Sequence, residues 1–218
     1  MSRDVVVVDH PLVQHKLSQM RDRETPSGQF RRLLKETSML LGYEATRDLR
    51  LVVREIDTPL ERMKAPMLEN EEVVLVSVLR SGNGILDGML EILPSARVGY
   101  IGLYRDPETL EAVQYYVNLP QDMDEHGAIV LDPMLATGHS AHEAIAVVKR
   151  YAPLWIRFVA LVSAPEGIEY VRSRHPDVTI YTAAIDRELN DHGYIMPGLG
   201  DAGDRLYGTK PPKKTASA

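Results

Sequence analysis

The chain has 218 residues, of which 44% are hydrophobic and 26% charged, a balance typical of one globular domain with a sizeable core. Its 31 acidic residues outnumber its 25 basic residues, and the net charge of -6 argues against a general nucleic-acid binder, because phosphate backbones are bound by basic surfaces. The absence of cysteine excludes disulfides, thiolate metal sites and cysteine nucleophiles, and it favours a cytoplasmic location.

The first quarter of the chain predicts two strands and two helices. The valine run at 5–8 predicts a short strand and is too short for the core of a signal peptide. Apolar residues at helical spacing follow, and Thr25-Pro26 is a typical helix start ahead of an amphipathic helix over 26–48. The segment 49–57 predicts the second strand.

From residue 73 onward, apolar β-branched runs alternate with segments of helical length. The runs predict buried strands at 73–79, 97–104, 128–132, 155–164 and 178–186. The helix-length segments between several of them lie at 84–93, 139–152 and 166–174. Strand–helix–strand repeats predict right-handed crossovers and a mainly parallel sheet flanked by helices, an α/β fold. No apolar run has the length needed to span a bilayer.

Two segments interrupt this alternation. Residues 105–127 contain AVQYYVNL but no helical pattern, which predicts a projecting β-hairpin or a mobile flap. Residues 210–218, KPPKKTASA, predict a disordered tail after a single domain that spans 1–209.

A carboxylate ends one of the predicted buried strands. In IVLDPMLATGHSAHEAI (129–145), Asp132 is followed by a loop of small residues with Gly138, and then by a predicted helix that begins near Ser140. Ligands of open parallel sheets bind at the carboxyl ends of the strands, and amides at a helix start bind phosphate. The pattern indicates a phosphate cradle, although a capped β-to-α connection with nothing bound would look similar.

A second predicted strand ends in the same way. In VLRSGNGILDGML (78–90), Arg80 and Ser81 precede Gly82 and Gly84 ahead of a predicted helix. An arginine in one glycine-rich loop and a carboxylate in the other suit a ligand that carries both phosphates and a sugar. A surface arginine paired with a neighbouring acid is the simpler alternative for Arg80.

These motifs resemble the uracil phosphoribosyltransferase family. The resemblance extends from HPLVQHKLSQMRD to YGTK and includes LRSGNG, GLYRDPETLEAVQYY, DPMLATGHS and DHGYIMPGLGDAGDRLYGT. It implies a type I phosphoribosyltransferase fold with a small hood and a β-hairpin flap. It also implies that uracil and phosphoribosyl pyrophosphate (PRPP) are converted to UMP and pyrophosphate in pyrimidine salvage, with Mg²⁺.

The resemblance also implies roles for individual residues. Contacts to PRPP are expected from Arg80, Arg105, Asp132, Pro133, Met134, Leu135, Ala136, Thr137, Gly138, His139, Ser140 and Asp201. Contacts to uracil are expected from Ile195, Gly200, Asp201 and Ala202, and catalytic roles from Asp201, Arg105 and Asp132. Mg²⁺ should be carried mainly by PRPP without a direct protein ligand. GTP is a candidate allosteric activator, and a homodimer or homotetramer without nucleic-acid or membrane partners is expected.

The sequence departs from the family pattern at three places. His139 stands where the family commonly has glycine, and Asn83 lies within a loop that commonly reads small-Leu-Gly. The segment 49–72 is shorter and more divergent than expected, which leaves one edge of the sheet unassigned. His139 and His142 have a spacing that a metal could use, but without a third ligand nearby, solvent-exposed histidines are expected.

Other functions on the same scaffold stay open at the level of sequence. One is a pyrimidine-responsive RNA-binding transcription attenuator, which the acidic net charge disfavours. Another is a phosphoribosyltransferase for a different base, which the GYIMPGLGDAGD segment disfavours for purines. A non-catalytic role is the weakest alternative, because Arg80, Arg105 and Asp132 are all present.

Overall fold

The structure is a computed structural model, and it describes residues 5–69, 72–105 and 112–209. The helices are α1 (Pro11–Arg21), α2 (Ser27–Ala45), α3 (Asn83–Ile92), α4 (His139–Lys149), α5 (Pro165–Arg174) and α6 (Ala202–Tyr207). The strands are β1 (Val5–Val7), β2 (Leu51–Asp57), β3 (Arg62–Leu68), β4 (Val74–Leu79), β5 (Arg97–Arg105), β6 (Ala112–Asn118), β7 (Ala128–Leu131), β8 (Met134–Leu135), β9 (Ile156–Ser163), β10 (Thr179–Ile185), β11 (Glu188–Leu189) and β12 (Ile195–Met196).

The main sheet has the order β1-β10-β9-β7-β4-β5-β6, and the short strand β8 also pairs with β9. Every pair in it is parallel except β5–β6, which is antiparallel. The predicted α/β class and the five predicted strands are therefore confirmed, with ends that shift by at most one residue.

Side chains of successive strand residues feed two separate cores, one on each face of the sheet. Leu75 of β4 and Ile129 of β7 pack with α1, α2, α3 and α6. Val76 of β4 and Val130 of β7 pack with α4 and α5. Both faces are thus covered by helices, which explains why these strands read as continuous apolar runs rather than as alternating ones.

The strand order creates a crevice between β4 and β7. From β4 the chain crosses through α3 to β5 on one side, and from β7 it crosses through α4 to β9 on the other side. The two connections leave in opposite directions, so the carboxyl ends of β4 and β7 form a topological switch point. Open α/β sheets bind ligands at such points, which places the loops after Leu79 and Leu131 at the centre of the candidate site.

The predicted hairpin region contains an antiparallel strand pair. The segment 112–118 is β6, an edge strand of the main sheet paired with β5, and a 3-10 turn follows at Met123–Glu125. Residues 106–111 of the predicted flap and the tail at 210–218 lie outside the described residues. The 49–57 strand was predicted correctly as β2, but it pairs with β3 in a separate two-stranded hairpin over 51–68 rather than with the main sheet.

A small hood stands over the carboxyl end of the sheet. The two-stranded pair β11–β12 and the six-residue helix α6 form it. Neither feature is predicted by periodicity, because strands of two residues and a helix of under two turns carry too few positions for a repeating pattern. The 26–48 helix was predicted somewhat too long, since α2 begins at Ser27 and ends at Ala45.

Candidate active site

Asp132 is a buried carboxylate at the end of β7. Asp132 is only 8% exposed, and its Oδ1 accepts a hydrogen bond from the Met134 amide at 3.4 Å. The Ser81 side chain is also hydrogen-bonded to it. No arginine, lysine or histidine pairs with Asp132 in the part of the chain that the structure describes.

Burial raises the pKa of Asp132 from 3.8 to about 7, and the bonds from Met134 and Ser81 offset this only in part. Desolvation disfavours the charged form of a carboxyl group, and here no cation counteracts it. A strongly perturbed carboxyl group at a switch point marks a candidate functional residue, because its charge is stabilised only when a ligand supplies partners.

After Asp132 the chain steps out of the sheet and re-enters it as β8. The Pro133 carbonyl accepts bonds from Leu161 and Val162 at 3.0 and 3.1 Å, and Met134 is aligned with Val162. Residues 136–138 then form the loop that joins β8 to α4. The loop then ends at Gly138, which caps α4.

The start of α4 presents free backbone donors. Among the described residues, the amides of Gly138, His139 and Ser140 have no protein acceptor. Gly138 has φ of 86°, a left-handed conformation that favours glycine. Three outward amides at the start of an 11-residue helix form a phosphate-binding geometry.

Helix α5 packs directly behind this loop. A Cβ on Gly167 would lie 2.3 Å from the Ala136 carbonyl oxygen, and one on Gly138 would lie 3.1 Å from Tyr170. The His139 ring packs edge-on against Tyr170, with the ring centroids 4.6 Å apart. The departure at His139 is therefore accommodated, because its backbone is helical and its ring has a partner on α5.

The two histidines at the start of α4 are not solvent-exposed, which corrects the expectation. His139 and His142 are both half-buried. His142 shares a hydrogen bond of 2.8 Å with His175, and its Nε2 lies 3.9 Å from Glu143.

The loop at 80–84 is wedged between the ends of β4 and β7. A Cβ on Gly82 would lie 2.4 Å from the Leu131 carbonyl oxygen and 2.7 Å from Ser77 Oγ. The Ser77 hydroxyl also donates to Asn83 Oδ1 at 2.8 Å. Only glycine fits this approach, so Gly82 brings the Arg80 loop and the Asp132 loop together.

Helix α6 closes the site from the hood. The Tyr207 hydroxyl donates to the Arg80 carbonyl at 3.0 Å, and the Arg80 guanidinium lies 5.8 Å from the centre of the Tyr207 ring. A Cβ on Gly203 would lie 3.9 Å from Ser81 Cβ. Asp201 is exposed and caps α6 by accepting the Asp204 amide at 2.8 Å. The three predicted motifs thus converge on one crevice.

The hood segment at 195–202 carries the residues expected to contact uracil. Ile195 and Ala202 are buried, with exposed fractions of 4% and 3%, whereas Gly200 is exposed and has φ of 80°. A cavity of ≈ 960 Å³ borders this segment and is lined in part by Arg23 and Tyr194. The Met196–Pro197 peptide is cis, as is Leu79–Arg80.

Two buried polar contacts that support the hood are not predicted by the sequence. Arg21 of α1 forms a two-pronged pair with Asp186, at 2.6 and 2.7 Å, although the two residues are 165 positions apart. Arg205 donates to the Leu199 carbonyl at 2.9 Å and lies 4.7 Å from the centre of the Phe30 ring. The HKLSQMRD motif holds the only sequence signal for Arg21, and nothing local marks its partner.

Arg105 is the last residue of β5, which is parallel to β4, with Leu79 aligned to Gly102. Its backbone therefore lies at the same edge of the sheet as the Arg80 loop.

Within the described ranges, no helix is both long and apolar enough to cross a membrane.

A family model described as uracil phosphoribosyltransferase matches residues 7–209. The chain belongs to the uracil phosphoribosyltransferase family. A uracil phosphoribosyltransferase from Legionella pneumophila strain Lens is 59% identical over 206 residues, which cover 94% of this chain and 96% of that relative. One from Acidovorax ebreus strain TPSY is 58% identical over 207 residues, with 95% and 99% covered.

A solved structure agrees with the fold. The AQ2163 protein from Aquifex aeolicus superposes with a TM-score of 0.89 at 39% identity, covering 93% of this chain and 97% of that one. The family model and the two relatives confirm the predicted family. In this uracil phosphoribosyltransferase family member, all three predicted motifs fall within the matched residues 7–209.

Proposed function

We propose that this chain transfers the phosphoribosyl group of PRPP to N1 of uracil, giving UMP and pyrophosphate. In this reaction the N1–C1′ bond forms, the bond from C1′ to the pyrophosphate oxygen breaks, and the N1 proton is lost. The convergence of the Asp132, Arg80 and 195–202 segments on one switch point carries the proposal, in a chain 59% identical to a relative of that name.

The Asp132 loop is proposed to hold the ribose 5-phosphate and the ribose. The free amides of Gly138, His139 and Ser140 suit the phosphate oxygens, because the start of a helix favours negative charge. The Pro133–Thr137 stretch joins Asp132 to these amides, with the Pro133 carbonyl bonded to β9. Asp132 would then accept bonds from two ribose hydroxyls, which gives its buried carboxylate the partners it otherwise lacks.

Arg80 and Arg105 are proposed to stabilise the departing pyrophosphate. Charge builds on the leaving group as the C1′–O bond breaks, so cations that are already in position lower the barrier. The Arg80 backbone is held by Tyr207, while Arg105 lies at the mouth of the predicted flap. A flap that brings Arg105 in on substrate binding would also exclude water.

The 195–202 segment is proposed to recognise uracil through its backbone. Uracil presents acceptor, donor and acceptor groups along O2, N3–H and O4, and the glycines and proline of this segment allow a close approach. Asp201 is the proposed acceptor or relay for the N1 proton, since it is exposed at the crevice beside Ser81 through Gly203. Its bond to the Asp204 amide leaves further lone pairs for a substrate.

Mg²⁺ fits this site as a companion of PRPP. No group of three His, Cys, Asp or Glu side chains that could hold a metal ion is found in the described ranges, and we propose that PRPP itself supplies the hard oxygens that Mg²⁺ prefers. When bound, the ion would neutralise part of the pyrophosphate charge. GTP is proposed as an activator on the strength of the family resemblance.

A homo-oligomer is proposed from the exposed hairpin β2–β3. Leu51 and Val53 are 63% and 70% exposed, and Leu60 at its tip is 96% exposed. Apolar side chains concentrated on one projecting element indicate an interaction surface. Sedimentation of the wild type beside Val53→Lys would test it, with a smaller species expected for the variant.

Formation of UMP from uracil and PRPP tests the proposed function directly. The assay compares reactions with and without Mg²⁺, with and without GTP, and with cytosine in place of uracil. Uracil-dependent release of pyrophosphate that requires Mg²⁺ is expected. Absence of UMP, together with tight binding to pyrimidine-leader RNA in an electrophoretic shift, would support the transcription attenuator instead.

A further inference from the structure

Two arginines hold consecutive carbonyl groups of the 195–202 segment. Arg21 Nη1 donates to the Gly198 carbonyl at 2.7 Å, while the same guanidinium forms its two bonds to Asp186. Asp186 Oδ2 in turn accepts the Gly198 amide at 2.8 Å. The peptide units on both sides of Gly198 are therefore fixed by one ion pair, whose carboxylate is 5% exposed.

The next carbonyl along the segment is held by the second arginine. Arg205 Nη1 donates to Leu199 at 2.9 Å and also to Met20, and Nη2 donates to the Asp22 carbonyl at 2.5 Å. The contacts of Arg21 and Arg205 thus tie the segment to the carboxyl end of α1.

Fixing these carbonyls also fixes the amides that share their peptide planes. In a trans peptide the C=O and the following N–H point in opposite directions. Holding the Gly198 carbonyl orients the Leu199 amide, and holding the Leu199 carbonyl orients the Gly200 amide. In the described part of the chain, the amides from Leu199 to Ala202 have no protein acceptor, although Leu199 is only 4% exposed.

Gly200 and Asp201 are exposed, but Leu199 is buried, and its unpartnered amide indicates a ligand, because protein amides withdrawn from water are almost always hydrogen-bonded. We propose that Arg21 and Arg205 are positioning residues for base recognition, which aim the Leu199 and Gly200 amides at the acceptor oxygens of uracil. This inference rests on the proposed function. Asp186 is a positioning residue as well, because its carboxylate accepts two bonds from the Arg21 guanidinium and so aligns it.

Substituting Arg21 or Arg205 by lysine removes the planar guanidinium group while keeping the positive charge. A lysine amine can reach Asp186 or the Gly198 carbonyl, but it cannot reproduce the planar, two-pronged geometry. Arg31→Lys is a matched control, since Arg31 Nη1 also donates to a carbonyl at 2.8 Å, but that carbonyl belongs to Leu206, outside the 195–202 segment.

The test is a full steady-state analysis of Arg21→Lys, Arg205→Lys and Arg31→Lys, with the melting temperature of each. Arg21→Lys and Arg205→Lys should each raise KM for uracil by about tenfold, the factor for one hydrogen bond of about 1.4 kcal/mol, with KM for PRPP changed less than about twofold. Arg31→Lys should leave both KM values within about twofold.

Equal rises in both KM values, or a fall in melting temperature with an unchanged KM for uracil, would show that the arginines only support the fold. The two arginines reside on different helices, so either variant decides the question if the other fails to fold. Failure of the wild type to form UMP would overturn the proposed function, whereas normal wild-type turnover with an unchanged uracil KM in the variants would overturn this inference alone.

Discussion

Replacing Asp132 by asparagine should make the free protein more stable at alkaline pH while it removes most of the activity. The substitution keeps the size of the side chain and removes its charge. Asp132 is the buried carboxyl group whose pKa is raised to about 7 by desolvation. Between pH 3.8 and about pH 7, Asp132 is protonated in the folded state and charged in the unfolded state. The group therefore contributes stability at low pH that is lost as the pH rises.

The size of the effect follows from that difference. A pKa that rises from 3.8 to about 7 on folding corresponds to a loss of about 4 kcal/mol in the free energy of unfolding once the group is fully charged. This value is the upper limit for the stability that Asp132→Asn can gain. At pH 5 the carboxyl group is already charged in the unfolded state, so Asp132→Asn should exceed the wild type in stability by only about 1.7 kcal/mol. At pH 8 the difference should rise toward about 4 kcal/mol.

The activity should change in the opposite direction. A carboxylate that accepts bonds from two ribose hydroxyls makes charge-assisted bonds, roughly twice as strong as neutral ones. Losing about 1.5 kcal/mol at each hydroxyl lowers kcat/KM for PRPP by about 10²-fold. The exposed Asp87 on α3 supplies the control variant Asp87→Asn, which should alter neither property.

Urea denaturation at pH 5 and pH 8, combined with UMP formation at saturating uracil, measures both effects on the same preparations. A variant that is less stable than the wild type at pH 8 would refute the argument that an unpaired buried charge destabilises the free protein. Near-normal turnover would show that Asp132 does not hold the ribose.

Three further predictions concern the remaining parts of the site. Arg105→Met should lower kcat/KM for PRPP by about 10²-fold through the loss of one charge at the leaving group, with KM for uracil changed less than twofold, as measured by initial rates. Gly200→Ala should cost about 1 kcal/mol of stability, which is the cost of its φ of 80° alone, because the nearest atom to the new Cβ is 3.9 Å away. Gly198→Ala should cost more than about 2 kcal/mol, because its Cβ would lie 2.1 Å from the Ile195 oxygen. Urea denaturation measures both losses, and equal losses would contradict the steric argument. Uracil should be preferred over cytosine on the order of 10⁴-fold in kcat/KM, since cytosine mismatches two of the three backbone groups, and comparable values would exclude backbone readout.

The sequence alone determined most strands of the main sheet and the positions of the candidate loops after β4 and β7. Strands that are covered on both faces must be apolar at every position, so their runs are visible without any knowledge of the neighbours. For the same reason a carboxylate directly after such a run, as at Asp132, is a local departure that sequence reasoning detects. The arginine in the glycine-rich loop after β4 is visible in the same way.

Periodicity could not determine which strands are neighbours. The placement of β4 beside β7, and hence the switch point, depends on the direction of each crossover. Likewise, 49–57 was predicted as a strand, but the sequence identified neither its partner β3 nor its separation from the main sheet, because a strand pattern does not specify the pairing. Within the predicted hairpin or flap at 105–127, the segment 112–118 pairs antiparallel with β5, but the local pattern could not show that this strand forms the edge of the main sheet.

Only the tertiary structure decided the support of the hood. Arg21 and Asp186 are 165 positions apart, and Arg205 and Met20 are 185 positions apart. None of these side chains belongs to a repeating sequence pattern, so nothing in the local sequence marks its partner. Their contacts arise because packing brings the carboxyl end of α1 beneath the 195–202 segment, where buried carbonyl groups require donors and the chain supplies them from distant residues.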